Sequence, residues 1–352
     1  MAQCLIPIPM TNEKPNGKES FGAELSRVWR QMPFRAALLV LFVAWTALFH
    51  SLGVSTFGYA KTHSMFGWWW WVHSRGILDD DGNLVSVWNV FKDEEGYAWL
   101  IPLVVLALLW RRREEWLAMP KGVWWPALGL FLGAVLLHVV GYVIQQERVA
   151  VAAYLFGLYG LTCLVWGAGW ARLAFFPFAL FVFCVPLGPS AGEAITFPLR
   201  LLATKLTAGL SHTVLGINVI REGTQLFNPS GAYKYEVAAA CGGLKSLTVV
   251  VAFAIIFGYL NFKSFWRRFA LLAAAVPLAV LANVVRLTMI IVTAETFGQK
   301  AGNFVHENWF FSLVPYVISF GGLLAVNWWL REDRRPRRAA EPVALEGARQ
   351  GL

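Results

Sequence analysis

The chain has 352 residues, 57% hydrophobic and only 14% charged, with a mean hydropathy of +0.54. A soluble domain carries about a quarter charged residues because its surface must face water, so a freely soluble globular protein is excluded. The charges lie between long apolar runs, which makes lipid the solvent. The net charge of +9 is distributed over the connecting segments and reads as a topology signal, not as a nucleic-acid footprint. Membrane lipid is therefore an expected partner and nucleic acid is not.

Residues 1–32 carry both charge signs and read as an unstructured cytoplasmic tail. The first apolar run, 34–53, has no small-residue cleavage site behind it and reads as an uncleaved span. Further runs at 97–110, 123–143, 149–166, 170–187, 242–260, 269–292 and 310–330 bring the candidate spans to eight. The run 97–110 is short for a hydrocarbon core of about 30 Å. The run 170–187 contains Pro177 and Pro186, tolerated where neighbouring helices satisfy the freed carbonyls.

Lys and Arg collect in alternate connections: Lys14, Lys18, Arg27 and Arg30; Arg111, Arg112, Arg113 and Lys121; Arg172; Lys263, Arg267 and Arg268; and the tail 331–338. The positive-inside rule assigns these segments and both termini to the cytoplasm. The expected fold is thus an all-α integral membrane protein of about eight transmembrane helices. One membrane domain covers 33–330, with cytoplasmic tails at 1–32 and 331–352. Two outer segments remain. Residues 54–96 contain four consecutive tryptophans at 68–71 and three aspartates at 79–81. Residues 188–241 start with an amphipathic stretch, 194–215, expected as a helix on the outer surface. Short strands are expected at 219–225 and 233–237, just before the sixth span.

The four cysteines, Cys4, Cys163, Cys184 and Cys241, are far apart and lack metal or disulfide spacing. Cys163 and Cys184 sit within apolar runs and read as packing residues. Cys241 opens the sixth span in the segment Ala240-Cys241-Gly242-Gly243-Leu244-Lys245-Ser246. A helix N-terminus favours a thiolate, and Lys245, one turn on, adds a cation. Gly242 and Gly243 admit a substrate backbone, and their N–H groups suit an oxyanion. A buried structural cysteine at a glycine-rich helix entry is the alternative. In the seventh span Asn283 and Arg286 share a helical face. An intramembrane Arg normally faces a partner or a wet cavity; snorkelling to outer headgroups is the other reading. His306, in the outer connection 295–309, titrates near neutrality and is suited to acid–base work. Glu295, Glu307 and, less specifically, Glu236 are candidate orienting carboxylates. His50, His63, His73, His138 and His212 have no comparable context.

These residues resemble the exosortase/archaeosortase family, multi-span membrane enzymes that process C-terminal sorting signals of the PEP-CTERM type. The family pattern has Cys in A-C-[SG]-G-[LI]-[RK]-S, then N-x-x-R in the following span, then His or Arg in the last outer loop. Here these are Ala240 to Ser246, Asn283-Val284-Val285-Arg286, and His306. Weaker echoes are Gly96-Tyr97-Ala98-Trp99-Leu100-Ile101-Pro102 followed by Arg111-Arg112-Arg113, and Phe181-Val182-Phe183-Cys184-Val185-Pro186-Leu187. The sequence departs from the pattern at Gly242, where Ser is common, and at Lys245, where Arg is common. The Gly often found four residues after the His is absent. A His in the last outer loop matches the bacterial branch.

The resemblance implies a cysteine protease or transpeptidase acting at the outer face of the inner membrane, with Cys241, Arg286 and His306 catalytic and Asn283, Lys245, Gly242 and Gly243 supporting. The implied partners are C-terminal sorting signals of exported proteins, each a transmembrane segment plus a basic tail. No cofactor or metal is implied. The rival class is a non-catalytic transporter or envelope-polysaccharide assembly factor, with Arg286 lining an anionic pathway.

Overall fold

The computed structural model describes residues 20–55, 62–73, 96–186, 188–237 and 244–331. The chain divides into two compact units, Met1–Trp68 with Pro102–Phe181, and Trp69–Ile101 with Val182–Leu352. The helices of the first half of the chain are α1 (Phe21–Gln31), α2 (Arg35–Ser51), α3 (Met65–His73), α4 (Leu100–Arg111), α5 (Arg113–Ala118), α6 (Pro126–Val143) and α7 (Glu147–Ala179). Then follow α8 (Pro189–Thr213), strands β1 (Ile220–Glu222), β2 (Gln225–Phe227) and β3 (Lys234–Glu236), α9 (Leu244–Asn261), α10 (Phe265–Phe297), α11 (Gln299–Glu307), α12 (Trp309–Ser312) and α13 (Val314–Trp329).

Among the described residues four helices are long and apolar enough to cross a membrane: Pro126–Val143, Glu147–Cys184, Phe265–Phe297 and Phe310–Trp329. The pair α1–α2, bent by 95°, makes a fifth if counted as one span. Leu100–Arg111 and Leu247–Asn261 are apolar but shorter.

In the first unit, residues Phe21–Gln31 form α1 where a solvated tail is expected, because the segment is strongly amphipathic. Ser20 caps it through the Ala23 N–H at 3.4 Å, and Glu24 and Arg30 suit the two ends of its dipole. Its polar side is held on α5: Arg27 donates to Glu114 at 2.6 Å and Arg113 pairs with Glu24. Val28 is buried beside Trp116, Trp166 and Trp170. The turn into α2 is written in the sequence Met32-Pro33-Phe34. Proline excludes the helical region for Met32, which is extended, and Phe34 takes the left-handed conformation at φ 53°.

The longest apolar stretch folds back on itself. Within α7, Gly167 has φ 91° and ψ 179°, a region that only glycine occupies comfortably. In a straight helix Tyr159 and Phe178 would stand about 28 Å apart at 1.5 Å per residue. Instead their rings are 5.2 Å apart, and the Tyr159 hydroxyl donates to the Ala171 carbonyl at 2.7 Å. The stretch is therefore a helical hairpin with its corner at Gly167.

In the second unit α8 is amphipathic in the inverted sense. Thr196, Arg200, Thr204, Thr207 and Ser211 recur at spacings of three and four and are buried, while Ile195, Phe197, Leu202 and Leu206 are exposed. Lipid rewards that arrangement and water penalises it. The strands at the expected positions are joined by a third, and the antiparallel order is β1-β2-β3. Leu226, Tyr233 and Val237 of this small sheet pack with Ala203 of α8 and with Val284, Leu287 and Ile291 of α10. On the opposite side α10 packs Leu271 and Ala275 against Val250 and Ala254 of α9 and Leu323 of α13. The tryptophans at 68–71, expected in a loop, lie on α3.

Gly167→Ala should destabilise the protein by about 1–3 kcal/mol, the range for a residue forced into such a backbone region. Thermal unfolding of the detergent-solubilised variant should show a melting temperature several degrees lower. An unchanged melting temperature would mean that the hairpin does not depend on this glycine.

Candidate active site

Arg286 lies on α10, one turn after the buried Asn283. Gly298, at φ 85°, ends α10 and starts α11, so the outer connection expected between the last two spans is itself a short helix with His306 in its final turn. Asn308 then caps α12 by accepting from the Phe310 N–H at 3.0 Å, and its carbonyl accepts from Ser312 Oγ at 3.2 Å.

This sequence of caps returns the chain to Arg286. Its Nη2 donates to the His306 carbonyl at 3.2 Å and to Ser312 Oγ at 3.5 Å. The His306 carbonyl belongs to the last turn of α11, where carbonyls lack helical partners, so Arg286 caps that helix with a cation at its negative end. Arg286 Nε is buried without a hydrogen-bond partner. Among the described residues no carboxylate stands within ion-pair distance of this guanidinium. Both acceptors found among the described residues are uncharged.

His306 is half-buried. Burial is the main cause that lowers its pKa below 6.5; the Arg286 charge lowers it further, and Glu307 works in the opposite sense. Burial and the Arg286 charge thus both favour the neutral imidazole.

Cys241, Gly242 and Gly243 lie outside the described residues. Lys245 falls in the first turn of α9. Ahead of this segment, Val237 is buried. Its N–H donates to the Thr224 carbonyl at 3.0 Å and its carbonyl accepts from Arg200 Nη1 at 3.4 Å. Arg200, buried in α8 and paired with Glu193, thereby ties α8 to the end of β3, four residues ahead of Cys241.

Of the candidate carboxylates, Glu295 accepts from Asn228 Nδ2 at 2.9 Å, which ties the sheet to the end of α10. Glu236 is exposed on β3. Glu307 acts electrostatically on His306, raising its pKa. Tyr235 donates to the Gln299 carbonyl at 3.2 Å, and a Cβ at Gly302 would collide with its hydroxyl. That close approach seats α11, and with it His306, on the sheet. Cys163 and Cys184 are buried free thiols. Sequence reasoning misses Ser312 and Arg200. Ser312 had only a weak signal, an Asn308 cap four residues earlier, and Arg200 only an opposite charge two turns earlier on the same helical face, Glu193.

The model of the transmembrane exosortase family matches residues 88–321, about two-thirds of the 352-residue chain. The chain belongs to the transmembrane exosortase family. The matched span contains Cys241, Asn283, Arg286, His306 and Ser312, and ends within α13. No curated protein and no solved structure matches the chain.

The His306 environment has a measurable consequence. In detergent-solubilised protein labelled at histidine, NMR should show His306 titrating below 6.5, and Arg286→Gln should move that titration upward because a repelling cation is removed. Unfolded His306 binds its proton at higher pH than the native residue does. Its contribution to stability is therefore present above 6.5 and declines as pH falls from there through the native pKa. A His306 titration unmoved by Arg286→Gln would separate the two residues.

Proposed function

We propose that this exosortase-family protein is a membrane-embedded cysteine transpeptidase or protease that cleaves C-terminal sorting signals of exported proteins. The observation that carries the reading is the contact between Arg286 and the His306 carbonyl: a guanidinium with no carboxylate in ion-pair distance among the described residues, whose charge also acts on the His306 imidazole, inside a family match that also covers Cys241.

In this reading the Cys241 thiolate, its proton taken by His306, attacks a peptide carbonyl. Arg286 stabilises the oxyanion that forms, and Asn283 orients Arg286. The C–N bond then breaks, the departing amine takes the proton from His306, and the acyl group stays on Cys241 as a thioester. An amine or hydroxyl of an envelope component, or water, attacks the thioester and restores the thiol. Lys245 and the glycine N–H groups support the thiolate and the oxyanion.

The same proposal has eight spans, counting the two arms of the α7 hairpin separately, with both termini cytoplasmic, the protein in the inner membrane and the site outside. The distribution of Lys and Arg supports that sidedness, and the fold-back at Gly167 supports the two-arm count.

The test is processing of sorting-signal proteins in cells carrying point variants, with membrane insertion checked by immunoblot. Cys241→Ala should abolish processing and Cys241→Ser should come close to doing so, a hydroxyl being the far weaker nucleophile. Arg286→Lys keeps the charge but loses the planar fork of donors, and should cost about a hundredfold, as removal of one oxyanion donor does. Lys245→Ala should be partial and His306→Ala severe. Full processing by Cys241→Ala would defeat the cysteine mechanism and leave the transporter class in front.

Topology can be tested separately with reporter fusions. Fusions after Arg113 and in the C-terminal tail should read as cytoplasmic, and a fusion at Gly231 as external. A cytoplasmic signal at Gly231 would put Cys241 on the wrong side of the membrane.

A further inference from the structure

A second feature lies in the first unit, among groups that the proposed chemistry does not use. Phe21, Leu25 and Trp29 recur every four residues along α1 and are exposed at 67%, 49% and 47%. The opposite side of α1 is occupied, since Glu24 and Arg27 pair with α5 and Val28 is buried. Three large apolar side chains are thus turned outward on a helix that is pinned from behind. Because α1 meets α2 at 95°, an α2 that crosses the bilayer leaves α1 lying along its surface, with that stripe at the depth of the headgroups and first methylenes.

At the inside of this bend α1, α2 and α7 enclose a cavity of about 120 Å³. Its lining is almost wholly apolar, with Trp29, Met32, Leu38, Phe42 and Leu161 among its walls, and Arg35 is the single cation in it. Arg35 is exposed, and one guanidinium N–H reaches the Trp29 carbonyl at 3.3 Å. It stands in the first turn of α2, where the helix dipole is already positive, and no side chain caps that turn. A cation there opposes its own helix and favours an external anion. Arg30, exposed in the last turn of α1, adds to the same field.

We propose that this bend is a binding site for one anionic phospholipid. The phosphate is held at Arg35, and a stretch of acyl chain enters the cavity between α1, α2 and α7. The volume admits a few methylenes and not a whole chain, so the remainder lies along the exposed apolar side chains of α2, such as Leu39 and Val40. The pairing of an apolar cavity with a cationic rim selects a lipid over a soluble anion, which has no use for the cavity. It also selects an anionic lipid over a zwitterionic one.

Native mass spectrometry of the full chain in detergent, with equimolar phosphatidylglycerol and phosphatidylcholine, tests the site. The wild type should retain one phosphatidylglycerol with about fivefold preference, the factor corresponding to about 1 kcal/mol for one cation beside an anionic lipid. Arg35→Gln should abolish the preference, Arg35→Lys should keep most of it, and Leu161→Trp, which fills the cavity, should lose the retained lipid. Arg172→Gln, an exposed cation elsewhere in the same unit, should bind as the wild type does. Melting temperatures identify any variant that has lost its fold, and in that event the comparison of Arg35→Lys with wild type and Arg172→Gln decides. Equal retention of the two lipids by the wild type, retention of neither, unchanged preference in Arg35→Gln, or a loss in Arg172→Gln equal to that in Arg35→Gln, would overturn the proposal.

Discussion

A guanidinium inside an apolar helix cannot be left to itself, and Arg286 shows how this protein accommodates one. An Arg at the centre of a span costs at least about 2.5–3.5 kcal/mol on insertion scales. Pairing it with a carboxylate would offset much of that cost and cancel the charge. Among the described residues the offset comes from neutral acceptors instead, the carbonyl at the end of α11 and the hydroxyl of Ser312. Both acceptors exist because short helices end and begin there: α11 leaves its last carbonyls unpaired, and the Asn308 cap brings Ser312 back toward α10. The cation is thus held in place by uncharged groups.

The surrounding helices follow from that requirement. α10 is the element on which α8, the sheet, α9 and α13 pack, so the residue that carries the charge is also on the helix with the most support. Gly302 lets Tyr235 approach α11 closely, and Arg200 joins α8 to the carbonyl of Val237. Each contact pins a backbone segment that leads into the candidate residues. Positioning of this kind is what a site needs if its groups are to meet a transition state without reorganising.

Lipid as solvent explains features that would be faults in water. α8 buries its threonines and an arginine and exposes its leucines, and α1 turns Phe21, Leu25 and Trp29 outward. In both helices the polar side is turned toward protein and the apolar side is left for hydrocarbon. The two differ in what holds them: α1 is fixed to α5 by ion pairs at the surface, and α8 by hydrogen bonds from Arg200 to the Val237 carbonyl and from Thr204 to the Gly223 carbonyl.

Apolar periodicity, the distribution of Lys and Arg, and three short motifs determined that this is a polytopic membrane protein of the exosortase type, and they named Cys241, Asn283, Arg286 and His306. Those signals are local: a run of apolar residues or a motif keeps its meaning whatever surrounds it. The tertiary structure decided the rest. The division between 149–166 and 170–187 is legible in the sequence, but that the break is a tight corner at Gly167 with a positive φ is not, because composition does not report φ. Residues 21–31 are ordered because α5 supplies the opposite charges 89 residues away, and a polar, amphipathic tail carries no mark of such a partner. Ser312 joins Arg286 only because two caps fold the chain back between them, and Arg200 matters only because β3 ends against α8. In each case the partner is distant in sequence, and proximity in space is what burial of the two surfaces creates.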